Sequence, residues 1–246
     1  MEWYEFYDIS ERFMEIINPT SAEKLLKVGR VLGLTEGGRV IDFGCGFGKM
    51  LALWAEQFGI CGIGIDVREY ACERARRKMA QRKLTDRIEI VHGNAAEYGV
   101  KEHAFDAATC IGASFIWGGF RESIRAMRGA VRDGGKLAIG ECYWLTDRVP
   151  PEYVNSEDAL QAEHELLTTV REEGFDVKSV VRASHDDWDR YESGNWVGLL
   201  HWIEENRNHP ERQAVIDRLH NSQDEYFRYG RQYFGWAIYV LDPVSY

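Results

Sequence analysis

The stretch Val40-Ile41-Asp42-Phe43-Gly44-Cys45-Gly46-Phe47-Gly48 constrains the fold more than any other part of this chain. A β-branched and aromatic run breaks into three alternate glycines, and Phe47, Met50, Leu51, Trp54 and Phe58 then recur at helical spacing. Strand, glycine turn and amphipathic helix in that order make the first half of a βαβ unit. Glycine lets backbone approach a ligand closely, and the helix start exposes N–H groups without intrahelical partners. The next strand, Gly62-Ile63-Gly64-Ile65-Asp66, ends on an acid, where a carboxylate can accept from both hydroxyls of a ribose. Either feature alone is compatible with a tight turn; together they point to a nucleotide-type ligand. A dinucleotide fingerprint would place glycine at position 49, and this chain has Lys49.

From Arg39 to Trp144 short apolar runs alternate with helical stretches. Strands are expected at Arg39 to Gly44, Cys61 to Val67, Arg87 to Asn94, Phe105 to Gly112 and Lys136 to Trp144, with Asp133-Gly134-Gly135 as the turn into the fifth. A helix over Glu157 to Glu173 leads to a sixth strand, Phe175 to Ala183, and Phe234 to Leu241 supplies the seventh. Right-handed crossovers make this an α/β fold: a doubly wound, seven-stranded, mostly parallel Rossmann-like sheet with an antiparallel last strand. His185 to Tyr233 shows no strand signal but two helical stripes, Trp196, Leu199, Leu200, Ile203 and then Tyr226, Tyr229, Tyr233, so a helical cap is expected between strands six and seven. The aromatic N-terminal segment, residues 1–34, is expected to fold as a helical cover over the ligand. All of 1–246 reads as one domain.

Composition narrows the partners. A formal net charge of -10 repels polyanions, which disfavours a nucleic-acid substrate. The one basic cluster, Arg74, Arg76, Arg77, Lys78, Arg82 and Lys83, is expected to be a solvated helix face. No apolar run approaches the roughly 18 residues of a membrane span, and Met1 to Asn18 lacks the features of an export signal. Five cysteines without metal or disulfide spacing read as reduced thiols of a cytoplasmic protein. The sequence leaves the oligomeric state open.

With Asp42 preceding Gly44, Gly46 and Gly48, the chain resembles the class I S-adenosylmethionine (SAM) dependent methyltransferases over nearly its whole length. The resemblance is closer to a group of small bacterial members of poorly defined substrate. It rests on Ile9-Ser10-Glu11, Ile17-Asn18-Pro19, Ile111-Gly112-Ala113-Ser114, Trp117-Gly118-Gly119-Phe120, Ile139-Gly140-Glu141-Cys142-Tyr143-Trp144, Trp188-Asp189-Arg190-Tyr191-Glu192 and Tyr233-Phe234-Gly235-Trp236. It implies SAM as cofactor, with the glycine loop under the carboxypropyl and sulfonium part, Asp66 on the ribose and Val67 flanking the adenine. It further implies that Asn94 and a backbone N–H at Ala95-Ala96 read the adenine edge, and that Cys110, Ile111 and Gly112 lie beneath the methionine moiety. The family more often has Asp where Asn94 stands; a carboxamide still accepts from an exocyclic amine.

Ligands of open α/β sheets bind beyond the carboxyl ends of the strands, which nominates Ser114, Trp117, Glu141, Tyr143 and Trp144 as neighbours of the acceptor. Glu141 is the candidate general base, because a charge at an apolar strand end requires a partner or a task. His185, Trp188, Tyr229 and Tyr233 are candidate acceptor walls from the cap, and the pocket is expected to suit a neutral or cationic acceptor. His185-Asp186-Asp187 invites a metal, but no further ligands follow at a supporting spacing and none is expected. His164, mid-helix, is expected to pack. The leading expectation is methyl transfer to a small molecule by in-line displacement. A non-catalytic SAM-binding module or an NAD-dependent oxidoreductase are the alternatives. The loop [DNS]-P-P-[YFW] of nucleobase amino methylation is absent after the fourth strand.

Overall fold

A computed structural model describes residues 3–154 and 160–244. Seven strands, β1 Arg39–Phe43, β2 Cys61–Asp66, β3 Ile88–His92, β4 Phe105–Ile111, β5 Val131–Trp144, β6 Phe175–Arg182 and β7 Phe234–Pro243, form one sheet in the order β3-β2-β1-β4-β5-β7-β6. β7 runs antiparallel to both of its neighbours and the other pairings are parallel. The order reverses between β1 and β4, so their carboxyl ends diverge into the crevice where such sheets bind ligands.

Helices cover both faces, which is why the central strands are apolar throughout rather than alternating. Val40 of β1 packs into a core with Leu51, Trp54 and Met79, and its neighbour Ile41 packs into a second core with Ile124, Met127 and Leu137. The first core lies under α2 (Ala22–Leu32), α3 (Lys49–Phe58) and α4 (Glu69–Gln81); the second lies under α5 (Phe120–Ala130) and, following a one-turn helix α6 (Pro151–Val154), α7 (Glu163–Glu172).

A third, smaller core joins the N-terminal helix to the cap. Helix α1 (Trp3–Ser10) brings Phe6 and Ile9 against Leu199, Trp202 and Ile203 of α8 (His185–Glu205) and Val215 and Leu219 of α9 (Arg212–Glu225). A Cβ added to Gly198 would stand 2.2 Å from the Ser10 carbonyl, so the α1–α8 crossing requires glycine there. A π-helical turn, Tyr226–Gly230, and a short α10 (Arg231–Tyr233) return the chain to β7.

Three boundaries differ from the sequence expectation. Asp133-Gly134-Gly135 does not precede the fifth strand but bulges within it: Phe105 pairs with Val131 and Ala107 with Lys136, and Gly134 takes a φ of +74° in the protruding turn. Helix α7 begins at Glu163, because Ala162 bridges to Trp144 and its N–H donates to Glu165; residues 157–159 of the expected helix lie outside the described residues. The tyrosine stripe is split by the π turn, which sends Tyr226 against Trp196 and Tyr229 onto Tyr153. His164 is exposed rather than packed.

Candidate functional site

A cavity of about 430 Å³ opens at the β1–β4 switch point, and the glycine turn forms its floor. Gly44, Gly46 and Gly48 have φ values of +74°, +52° and +66°, conformations that side chains rarely adopt. The N–H groups of Gly44 and Cys45 both donate to the Ile65 carbonyl, folding the turn back across β2. Asp66 then fixes it: one carboxylate oxygen accepts from Gly46 N–H at 2.8 Å and the other from Arg68 N–H at 2.9 Å. A carboxylate offers about four acceptor positions, so two remain for a ligand. Under the turn, Asp42 is buried and accepts from the Thr109 hydroxyl at 2.7 Å; burial pushes its carboxyl up to about 7, with the Asp66 charge adding to this and the Thr109 bond opposing it.

The roof comes from the N-terminus. Residues 11–21 run as a strap between α1 and α2, and Glu11, Ile16, Ile17, Asn18 and Thr20 line the cavity. Two arginines lash this strap down. Arg74 of α4 donates to the carbonyls of Arg12 and Met14, and Arg190 of α8 donates to those of Ile16, Asn18 and Thr20. Asn18 donates to Ile111 O at 3.1 Å, and Glu11 pairs with Arg68 at 2.7 Å. Burial lifts the Glu11 carboxyl to about 7, although Arg68 pulls against it.

The cofactor candidates therefore separate. Asp42, Gly44, Asp66, Val67, Asn94, Ala95 and Ile111 line the cavity. Gly46 and Gly48 shape the turn without lining it. Asn94 caps its own loop, accepting from Ala96 N–H and donating to Glu97. Cys110 is a correction: its side chain is fully buried in the core beside Ile41 and Phe43, since it alternates with Ile111 on the strand.

A second cavity, of about 240 Å³, lies under the cap between α1, α8 and α9. It adjoins the first through Tyr7 and Tyr191, which line both. Its walls include Phe6, Tyr153, Trp188, Tyr226 and Phe234, with Glu192 and Glu225 among them and the exposed Arg218 also lining it. Of the acceptor candidates only Trp188 lines it. Tyr229 stacks on Tyr153 at 4.7 Å and Tyr233 tilts against Tyr229, both behind the wall.

The remaining acceptor candidates are corrected. Tyr143 is 4% exposed, its hydroxyl accepting from Arg182 at 2.7 Å, on a face turned toward α7. Trp117 packs edge-on against Phe43 at 5.0 Å. His185 is exposed at the start of α8. Ser114 begins a 3-10 turn, Ser114–Trp117, and hydrogen-bonds through its side chain to Glu141. Glu141 itself accepts from Cys142 N–H at 2.9 Å and lines neither cavity; burial raises its carboxyl above the ordinary range. Asp187, beside His185, is engaged by the Ser184 N–H and hydroxyl and by Lys24. The basic α4 face is not free either: Arg74 and Arg76 bind carbonyls, Lys78 pairs with Glu15 and Arg82 with Glu56.

Sequence reasoning missed Tyr7, Arg68, Thr20 and Glu192 as site residues. For two of them a positional signal existed: Arg68 follows the Asp66 strand end by two residues, and Glu192 follows Tyr191 inside a stretch that was legible only as resemblance.

The known proteins that this chain resembles agree with the geometry. A family model described as a methyltransferase domain matches residues 40–135. The uncharacterized protein YjhP of Escherichia coli (strain K12) is 32% identical over 98% of this chain and 99% of its own. A SAM-dependent methyltransferase from Thiobacillus denitrificans, crystallised with S-adenosyl-L-homocysteine (SAH), superposes with a TM-score of 0.92 at 32% identity, covering 99% of this chain and 100% of that one. Another, from Geobacter sulfurreducens and also with SAH, gives 0.91 at 34% identity over 98% of each chain. Glycine turn, acid-tipped second strand, switch-point cavity and full-length likeness converge: this chain belongs to the SAM-dependent methyltransferases.

Proposed function

We propose that the protein transfers the SAM methyl group to a small-molecule acceptor held in the cap cavity. The observation that carries this reading is that two cavities, one on the glycine turn and one under the cap, adjoin at Tyr7 and Tyr191. Three features of the first cavity suit the donor. Its volume is within the range of about 300 to 1,000 Å³ for ligand sites. A Cβ at Gly44 would stand 2.6 Å from that of Ala113, so the floor is held open by glycine. Thr20 Oγ1 is buried in the wall without a hydrogen-bond partner among the described residues, an acceptor and donor suited to a polar group of the ligand.

In this reading Asp66 accepts from the ribose hydroxyls, Val67 and Ala95 flank the adenine, and Asn94 with the neighbouring N–H groups meets its edge. Gly44, Cys45 and Ile111 border the carboxypropyl and sulfonium part, with Asn18 and Thr20 on the amino-acid end. Bound SAM supplies a methyl carbon already activated by its sulfonium. What the chain contributes is alignment and the exclusion of water by the strap; orientation of two reactants recovers about 7 to 11 kcal/mol in well-positioned systems.

Isotope-labelled SAM incubated with a metabolite extract tests the proposal. Label should pass to a low-molecular-weight product with wild-type protein. It should fall sharply with Asp66→Ala, which removes two charge-assisted hydrogen bonds and weakens donor binding by roughly 1 to 3 kcal/mol. Label appearing only in macromolecules, or unaltered donor affinity in Asp66→Ala, would overturn it.

A further inference from the structure

The cap cavity has a chemistry of its own. Its walls are aromatic on several sides, from Phe6 and Tyr7 on α1 to Trp188 on α8 and Phe234 on β7, and two carboxylates stand among them. Glu192 belongs to α8, next to the shared residue Tyr191, and Glu225 comes from the last turn of α9. The groups that face Glu192 are Tyr7 from α1, Tyr191 beside it, and Arg218, Glu225 and Tyr226 from the α9 side. Arg218 and Glu225 are both exposed and Glu192 is half-buried, so Arg218 and Glu225 border the solvent side of the cavity while Glu192 and the rings form its interior.

Aromatic faces carry negative charge density and attract cations, and a withdrawn carboxylate completes a seat for an ammonium group. We infer that the acceptor is a small amine, bound in the cap cavity with its nitrogen against Glu192 and its far end toward the solvent side, where Glu225 and Arg218 stand. This rests on the reading of the cap cavity as the acceptor site. It moves the acidic role from Glu141, which lines neither cavity, to Glu192.

The chemistry follows from the seat. An ammonium has no lone pair, so Glu192 must first accept one proton from it. The freed nitrogen pair then forms the N–C bond to the donor methyl carbon, the C–S bond breaks, and its electron pair stays on sulfur. The products are a methylated ammonium and SAH, and Glu192 returns the proton to solvent. Burial and the nearby Glu225 charge hold the Glu192 carboxyl up at about 7, with Arg218 opposing them, a value that lets the group take and release a proton near neutrality.

Calorimetry with two probes of one shape tests this. SAH-loaded protein is titrated with phenethylamine, charged at neutral pH, and with its neutral isostere propylbenzene. The amine should bind at least tenfold more tightly than the hydrocarbon, and Glu192→Gln should reduce amine affinity by about tenfold while leaving SAH affinity and the hydrocarbon unaffected. Glu141→Gln should leave amine binding as in the wild type. Equal binding of both probes, or an amine affinity indifferent to Glu192→Gln, overturns the inference. Loss of SAH binding by the wild-type protein would instead remove the donor site itself, so the two failures read differently.

Discussion

Thr20 is 1% exposed and its hydroxyl has no hydrogen-bond partner among the described residues. An unsatisfied buried hydroxyl costs about 1 to 3 kcal/mol, and a fold keeps one where a ligand later completes it. Thr20→Val has nearly the same shape and removes the orphan. It should therefore raise the stability of the ligand-free protein by about 1 kcal/mol in urea denaturation and lower SAH affinity roughly fivefold or more in calorimetry. The opposite signs are the test: a variant that lost both or kept both would make Thr20 a packing residue. Gly44 and Asp66 contrast with it, because a glycine turn and an acid-tipped strand end nominate them in the sequence, whereas Asn94 entered only through the resemblance. Thr20 was not legible, since nothing local distinguishes a threonine that a strap will fold over a cavity.

At the scale of elements, the sheet was the legible part. Strands β1 to β7 follow the expected runs to within a few residues, because buried parallel strands are continuous apolar segments whose ends glycines mark. The cap was legible as helix but not as geometry: a single π turn separates Tyr226 from Tyr229 and sends them to different neighbours, which periodicity does not encode. Nor did sequence show that the cap serves both cavities. Helix α8 carries Arg190, which holds three strap carbonyls, and Tyr191, which lines both pockets. Removing residues 185–233 should therefore cost donor binding as well as turnover. A gentler variant isolates the coupling. Arg190→Ala frees three carbonyls, so amide exchange across residues 12–20 should quicken by tenfold or more while the β1 and β4 amides stay protected, and SAH affinity should fall several-fold. Unchanged exchange in the strap would show that Arg74 and Asn18 hold it without help from the cap.

At the scale of the whole molecule, charge is placed against stability in the service of the site. Glu15, Glu173 and Asp187, each beside a Lys or Arg, titrate below the ordinary carboxylate range, so their contribution is complete by about pH 5. Asp42, Glu11 and Glu192 are held up at about 7, chiefly by burial, and all three lie at the cavities. Between about pH 4.5 and 7 the folded chain keeps protons on these groups that the unfolded chain has lost. Stability therefore falls as pH rises through that window and levels off above it, with a slope of at most about 1.4 kcal/mol per pH unit for each group. Ligand binding acts only on the folded state and would mask the slope, so the measurement uses ligand-free protein. Urea denaturation at pH 5.5 and pH 8 should find wild-type protein less stable at the higher pH. Asp42→Asn removes one titrating group and still offers Thr109 an oxygen to donate to, so its two stabilities should lie closer together than those of the wild type, mainly through a gain at pH 8. A variant as pH-sensitive as the wild type would mean that Asp42 ionises normally beneath the glycine turn, and that the proximity of its charge to Asp66 is relieved by some other group.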